Sequence, residues 1–231
     1  MSKPHILIKL PSRGRPEKLF RALDSIHNHI SDQKYFTVSC TLDTDDAAVC
    51  NEDVVGRISE YPNTEIAWGT SESKIHAINR SMPEEFGIVC IGSDDIFFNA
   101  FGFDEMIRLE MRTHFPDGDG YLHFREKDSL SALNVMTVID KKYYDRFGYI
   151  YHPEYLSLFA DNHQMDVAKI LGRYVYIDYS IMEHRNPAYN EYNEVKDEMF
   201  RYQQEIGWSI DQLKYEEMKS RNYDLHLIQN T

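Results

Sequence analysis

The first 95 residues alternate apolar runs of strand length with segments of helical spacing, and that alternation most constrains the fold. "HILIKL" (5–10), "YFTVSCTL" (35–42), "TEIAW" (64–68) and "GIVCIG" (87–92) read as buried strands. Between them, Leu19, Leu23, Ile26 and Ile30 recur at helical spacing behind Pro16, a residue suited to a first helical turn. "CNEDVVGRISEY" and "SKIHAINRSM" supply two shorter helices. The order β-α-β-α-β-α-β predicts an α/β fold with a mostly parallel central sheet and helices on both faces. In such sheets ligands collect beyond the carboxyl ends of the strands.

After Asp95 the rhythm changes. "FDEMIRLEMRTHF", "KKYYDRFG" and "DNHQMDVAKILG" read as helices, "DGYLHF" and "LNVMTVID" as strands, with "REKDSLSA" between those strands, and "RYVYIDYSIM" as one last strand. The tail from Asn190 is polar and helical by pattern. The simplest organisation is one domain over residues 1–189 with a C-terminal helical extension of the same domain over 190–231. Whether that tail packs on the core or joins two copies into a homodimer stays open at this stage.

The fourth strand ends in "GSDDIFF", two adjacent acids after a strongly apolar run. Acids are rarely buried without a partner, so a positive group is expected beside Asp94 and Asp95. The other strand ends carry Ser12, Arg13 and Arg15; Asp43, Asp45 and Asp46; and Gly69, Thr70 and Ser71. Arginines at a strand end suit an anionic ligand such as a diphosphate. Clustered carboxylates suit a hard divalent cation, Mn²⁺ or Mg²⁺, whose shell phosphate oxygens commonly complete. Plainer readings compete. Arg13 and Arg15 could be solvated and paired with Glu17, "DTDD" could cap the following helix, and Asp94 and Asp95 could lie in an exposed turn.

The formal net charge of −13 argues against broad nucleic-acid binding, which rests on Lys and Arg meeting phosphates. The three cysteines, Cys40, Cys50 and Cys90, form no C-x-x-C pair and fit free thiols in a reducing compartment. With no stretch near membrane-spanning length and no apolar leader, a cytoplasmic protein is the expectation.

Taken in order, these residues resemble the nucleotide-sugar-dependent glycosyltransferases of the GT-A fold, particularly the large family 2. The resemblance covers about residues 5–185. It rests on the Ser-Arg-Gly-Arg-Pro loop after the first strand, Asp43 at the second strand end, the helix bearing Lys74 and Asn79, "GSDDIFF" in place of the D-x-D metal motif, and "YLSLFADNHQMDVA" on the acceptor side. It implies a GT-A type, Rossmann-like fold and a hexosyltransferase-like enzyme that moves a sugar from a nucleotide-sugar, a UDP-sugar first among them, to a hydroxyl of a glycan or other acceptor. Asp43 would meet the base, flanked by Ser12, Arg13 and Arg15. Lys74 and Asn79 would face the nucleotide or its phosphates. Asp94 would approach the ribose or sugar, Asp95 and His184 would hold the metal, and Asp161 would be the general base of an inverting displacement. Ser93 departs from the motif, since a hydroxyl is a weaker metal ligand than a carboxylate. Asp161 could instead cap its helix. A retaining glycosyltransferase, a nucleotidyltransferase of related fold and a non-catalytic nucleotide- or carbohydrate-binding protein are the rival readings.

Overall fold

The computed structural model describes residues 3–126, 133–188 and 194–228. Its central sheet has seven strands: β1 (Ile6–Pro11), β2 (Phe36–Asp43), β3 (Thr64–Gly69), β4 (Ile88–Ile91), β6 (Tyr121–Phe124), β7 (Val138–Asp140) and β8 (Tyr174–Ile177), in the order β3-β2-β1-β4-β7-β6-β8. Within it only β7 runs against its neighbours. A separate two-stranded ribbon pairs β5 (Ile96–Phe98) with β9 (Met182–His184).

The period-2 geometry of a strand sends alternate side chains to opposite faces, and β1 uses both. Ile6, Ile8 and Leu10 enter one core with Leu19, Leu23 and Ile26 of α1 (Pro16–His29) and with Phe103, Ile107 and Met111 of α4 (Phe103–His114). Leu7 joins Val89 and Ile91 of β4 in the other core. There they meet Ile75 and Ile78 of α3 (Lys74–Asn79), Tyr143 of α5 (Lys141–Asp145), and Ala160 and Met165 of α6 (Ala160–Ile170). Each fully buried aliphatic side chain contributes about 1.5–3 kcal/mol, so the two-faced burial of β1, beside the central strand β4, anchors both cores to the sheet. The next β1 position on the second face, after Leu7, is Lys9, fully buried, whose Nζ donates to the Arg80 carbonyl at 2.9 Å. Burial pushes that ammonium down to about 8.

The predicted α/β architecture is the one observed, with helices on both faces. Three local expectations need correction. "RYVYIDYSIM" is not one strand. It breaks after Ile177, where Ser180 Oγ donates to the Met182 carbonyl at 2.5 Å and takes up the Met182 amide at 3.3 Å. A side chain that satisfies its own neighbours' backbone in this way competes with a ladder. "LNVMTVID" is extended only from Val138, because Asn134 Oδ1 accepts the Met136 amide and bends the chain first. The ribbon strand β5 was not anticipated, since three apolar residues carry no readable alternation. Most of the "REKDSLSA" connection and the first residues of the tail, 190–193, lie outside the described residues.

The C-terminal part contains α7 (Glu198–Ile206), a π-helical turn at Gly207–Asp211, α8 (Gln212–Ser220) and the short α9 (Leu225–Ile228). Asp211 is fully buried and accepts the amides of Leu156, Ser157 and Leu158 at 2.9, 2.7 and 2.8 Å. Beside it, a Cβ on Gly207 would sit 2.3 Å from Leu158 Cγ, so only glycine lets the helix approach this closely. Tyr215 and Tyr223 both donate to Asp166 Oδ2 at 2.6 Å, fastening α8 and the turn beyond it to α6. Replacing Asp211 by Ala strips three buried amides of a charged acceptor. The expected loss is roughly 3 kcal/mol, measured as a lower urea midpoint at unchanged m-value.

Candidate active site

A cleft of about 540 Å³ opens at the carboxyl ends of β1, β2 and β4. Ser12, Arg13, Arg15, Asp43, Lys74, Asp94, Asp95, Asp161 and His184 all line it. Of the residues to which the resemblance gives a role, Asn79 lies off the lining. Its Oδ1 accepts the amides of Ile150 and Tyr151 at 3.0 and 3.1 Å, and its Nδ2 donates to the Tyr151 carbonyl at 2.6 Å. With every polar atom of its amide engaged in this way, Asn79 braces the 150–151 backbone.

At one end of the cleft, Asp43 is buried and held from three sides. Arg13 Nη1 donates to Oδ2 at 2.8 Å, while Ser71 Oγ and Arg80 Nη2 donate to Oδ1 at 2.6 and 3.1 Å. Arg13 also grips Asp45 through Nη1 and Nη2, so its partners are at the end of β2 and not at Glu17. The acids of "DTDD" do not cap the following helix, Glu52–Ile58, whose cap is Asn51; Asp46 binds loop amides instead, its Oδ1 taking the Ala48 amide at 3.1 Å and its Oδ2 the Gly14 amide at 2.6 Å. Sequence reading missed Arg80, the residue directly after Asn79. Its guanidinium reaches Ser71, Asp43 and the carbonyls of Ala67 and Leu42, all within 3.1 Å.

In the middle, Ser12 Oγ donates to Asp94 Oδ2 at 2.9 Å and Arg15 Nη1 approaches Asp94 Oδ1 at 3.4 Å. Burial and the neighbouring Asp95 push the Asp94 carboxyl upward, against the pull of Arg15. Arg15 is shared: its Nε and Nη2 form a two-pronged pair with Asp197 at 2.7 and 2.6 Å. Asp197 caps α7 by accepting the Phe200 amide at 2.8 Å, and α7 forms one wall of the cleft through Met199, Phe200, Tyr202, Gln203 and Ile206.

Asp95 meets His184 through the unforeseen ribbon. Ile96 pairs with His184 across β5 and β9, and the Arg185 amide donates to the Asp95 carbonyl at 2.8 Å. This ladder brings His184 Nε2 to 3.4 Å from Asp95 Oδ2. Burial disfavours charge on Asp95, but the imidazole of His184, aided by Lys74, outweighs it and holds the carboxyl well below its usual range. Burial likewise opposes the imidazolium, yet Asp95 and Glu126 push His184 up to about 9. Asp95 Oδ1 is buried with no hydrogen-bond donor among the described residues. An oxygen so placed, beside an imidazole nitrogen, fits a divalent cation. Among the described residues no group of three or more His, Cys, Asp or Glu is arranged to hold a metal by itself.

Asp161 stands in the first turn of α6, where the helix dipole favours a carboxylate. It is not the cap. That position belongs to Phe159, at φ +61°, a left-handed backbone rare for a bulky residue. The Phe159 ring stacks on Tyr215 and meets Trp208 edge-on, so the C-terminal helices hold the turn that presents Asp161. Burial raises the Asp161 carboxyl, opposed by the Asn162 amide and Lys74.

Comparison with solved structures agrees with this architecture. A mannosyltransferase from Pyrobaculum calidifontis, in complex with GDP-Man and Mn²⁺, matches with a TM-score of 0.66 at 13% identity over 82% of this chain. The chain has the GT-A fold. TarS from S. aureus in complex with UDP-GlcNAc matches with a TM-score of 0.60 at 12% identity over 86% of the chain. This GT-A chain spans 59% of the mannosyltransferase chain and 64% of the TarS chain. A 4-diphosphocytidyl-2C-methyl-D-erythritol synthase from Anaerococcus prevotii matches with a TM-score of 0.50 at 12% identity, over 95% of that chain. No protein-family model and no curated protein matches the sequence.

The Arg80 geometry explains Gly69. A Cβ there would lie 2.7 Å from Arg80 Nη1, and the guanidinium has no freedom to retreat without giving up its four acceptors. Gly69→Ala is expected to cost about 1–2 kcal/mol and to loosen Asp43. Thermal unfolding reads the first effect, and altered NMR shifts of the Arg80 guanidinium N–H groups the second.

Proposed function

We propose that this chain is a metal-dependent, inverting glycosyltransferase that moves a sugar from a nucleotide-sugar, a UDP-sugar in the first instance, to an acceptor hydroxyl. The observation that carries the reading is the convergence, in one cleft, of the Arg13–Asp43 cluster, the Asp95–His184 pair and Asp161. The bound ligands of the two glycosyltransferase neighbours, GDP-Man with Mn²⁺ and UDP-GlcNAc, support the choice of donor class.

In this reading Asp43, fixed by Arg13, Ser71 and Arg80, accepts N–H donors from the edge of the base. Ser12 and Arg15 flank it, and Lys74 faces the phosphates. Asp94 approaches the ribose or sugar. Asp95 and His184 would hold a divalent cation. When bound, that cation stabilises the charge that builds on the departing diphosphate. Asp161 takes the proton of the acceptor hydroxyl as its oxygen attacks the anomeric carbon from the face opposite the diphosphate. Lys74, close enough to lower both Asp95 and Asp161, helps keep the base ionised.

A second reading, nucleotidyl transfer, draws on the likeness to the erythritol synthase. Against it stands the loop after β1, which has one glycine, Gly14, where a phosphate cradle of that kind is glycine-rich. Pyrophosphate release from a nucleoside triphosphate and a sugar phosphate would favour it.

The test is a panel of UDP- and GDP-sugars with Mn²⁺ or Mg²⁺, followed for binding and slow hydrolysis, with and without chelator. Binding and turnover that vanish with chelator are expected in the wild type, and Asp95→Ala is expected to lose the metal stimulation. Asp161→Asn should lower kcat by about 10²–10⁴-fold at unchanged nucleotide affinity. Because the base works only when ionised, and burial raises its carboxyl, wild-type turnover should fall on acidification at a pH above the usual carboxylate range. A pH–rate profile without that acid limb would count against Asp161.

A further inference from the structure

Glu126 lies just beyond β6, at the same edge of the sheet as the cleft, yet it does not line the cleft. It is 4% exposed, and neither carboxylate oxygen has a hydrogen-bond donor of acceptable geometry among the described residues. Oε1 lies 3.2 Å from His184 Nδ1. On the other side of the same ring, Nε2 is 3.4 Å from Asp95 Oδ2. The imidazole thus stands between two carboxylates, one in the cleft and one behind it. A buried carboxylate without a cationic or donating partner is costly, and among the described residues the side chain placed to offset that cost is His184.

The β5–β9 ladder fixes the backbone of His184 but not which ring nitrogen faces Asp95. We propose that Glu126 is a positioning residue: it accepts a hydrogen bond from the Nδ1–H of His184 and so turns Nε2 toward Asp95 and the cleft. The inference rests on the proposed function only in giving the Nε2 face a ligand to meet. A carboxylate behind a histidine is a general means of fixing its tautomer and raising its basicity toward a cation. A Glu126 that merely filled space would leave the ring free to present either nitrogen.

The full-length protein, labelled with ¹⁵N-histidine, decides this by long-range ¹H–¹⁵N NMR without nucleotide, at a pH above the value of about 9 to which Asp95 and Glu126 push the His184 ring, where it carries a single proton. The wild type is expected to show a protonated Nδ1 on His184. Glu126→Gln, whose Oε1 can still accept, is expected to keep it. Glu126→Ala is expected to move the proton to Nε2, facing Asp95. A folded Glu126→Ala with His184 nitrogen shifts unchanged overturns the proposal. So does a bare Nδ1 in the wild type, a result that needs no variant to fold. As a consequence, Mn²⁺ affinity in the presence of UDP, read by electron paramagnetic resonance, should drop about 10–100-fold in Glu126→Ala and recover largely in Glu126→Gln; an unmoved affinity in folded Glu126→Ala also overturns it. The NMR result does not depend on sugar transfer, so a protein that orders His184 as described but transfers nothing would refute the glycosyltransferase reading alone.

Discussion

Asp94 and Asp95 are neighbouring carboxylates at the buried end of a central strand, and the cleft is organised around separating them. Two like charges in so dry a place cannot both persist without compensation. The chain divides the task. Ser12 and Arg15, from the loop after β1, attend to Asp94. His184, from a ribbon nearly ninety residues further on, attends to Asp95. The two acids are thereby driven in opposite directions, one toward the neutral and one toward the charged form. Such divergence between adjacent groups is a mark of sites that handle charge.

The catalytic candidate Asp161 depends on a different support. The loop that precedes it has three consecutive amides pinned by Asp211 and a leucine fitted against Gly207. Phe159 is held in an uncommon backbone conformation by two aromatic neighbours from the C-terminal helices. Backbone strain of this kind persists only where the surroundings over-determine it. The C-terminal helices are therefore part of what sets the position of the acid, although they lie far from it in sequence.

Much of this was legible before any coordinates. The alternation of apolar runs and helical spacings was long and regular enough to give the sheet and both helical layers. The strand-end rule then gathered Arg13, Asp43 and Asp95 onto one edge, because parallel topology leaves few alternatives. What escaped were features carried by short or non-local contacts. Ile96–Phe98 is too brief to show a period, so the route by which His184 reaches Asp95 was invisible. Arg80 was hidden by its neighbour: Asn79 looked equally suited to a ligand, and only the hydrogen bonds to residues 150 and 151 show which of the two faces Asp43. Glu126 and Asp211 act through burial, which a run of mixed polar residues does not announce.

Arg15 has a limited number of N–H groups, and it divides them between Asp197 at the start of α7 and Asp94 at the end of β4. The cap of the tail helix and the floor of the cleft thus draw on a single cation. Thermodynamic reciprocity makes any consequence two-sided: to the extent that the hold of the tail on this guanidinium alters its hold on the floor, a change at the floor alters the hold of the tail by the same free energy. The wall of the cleft and its floor are in this way joined through the hydrogen bonds of one side chain.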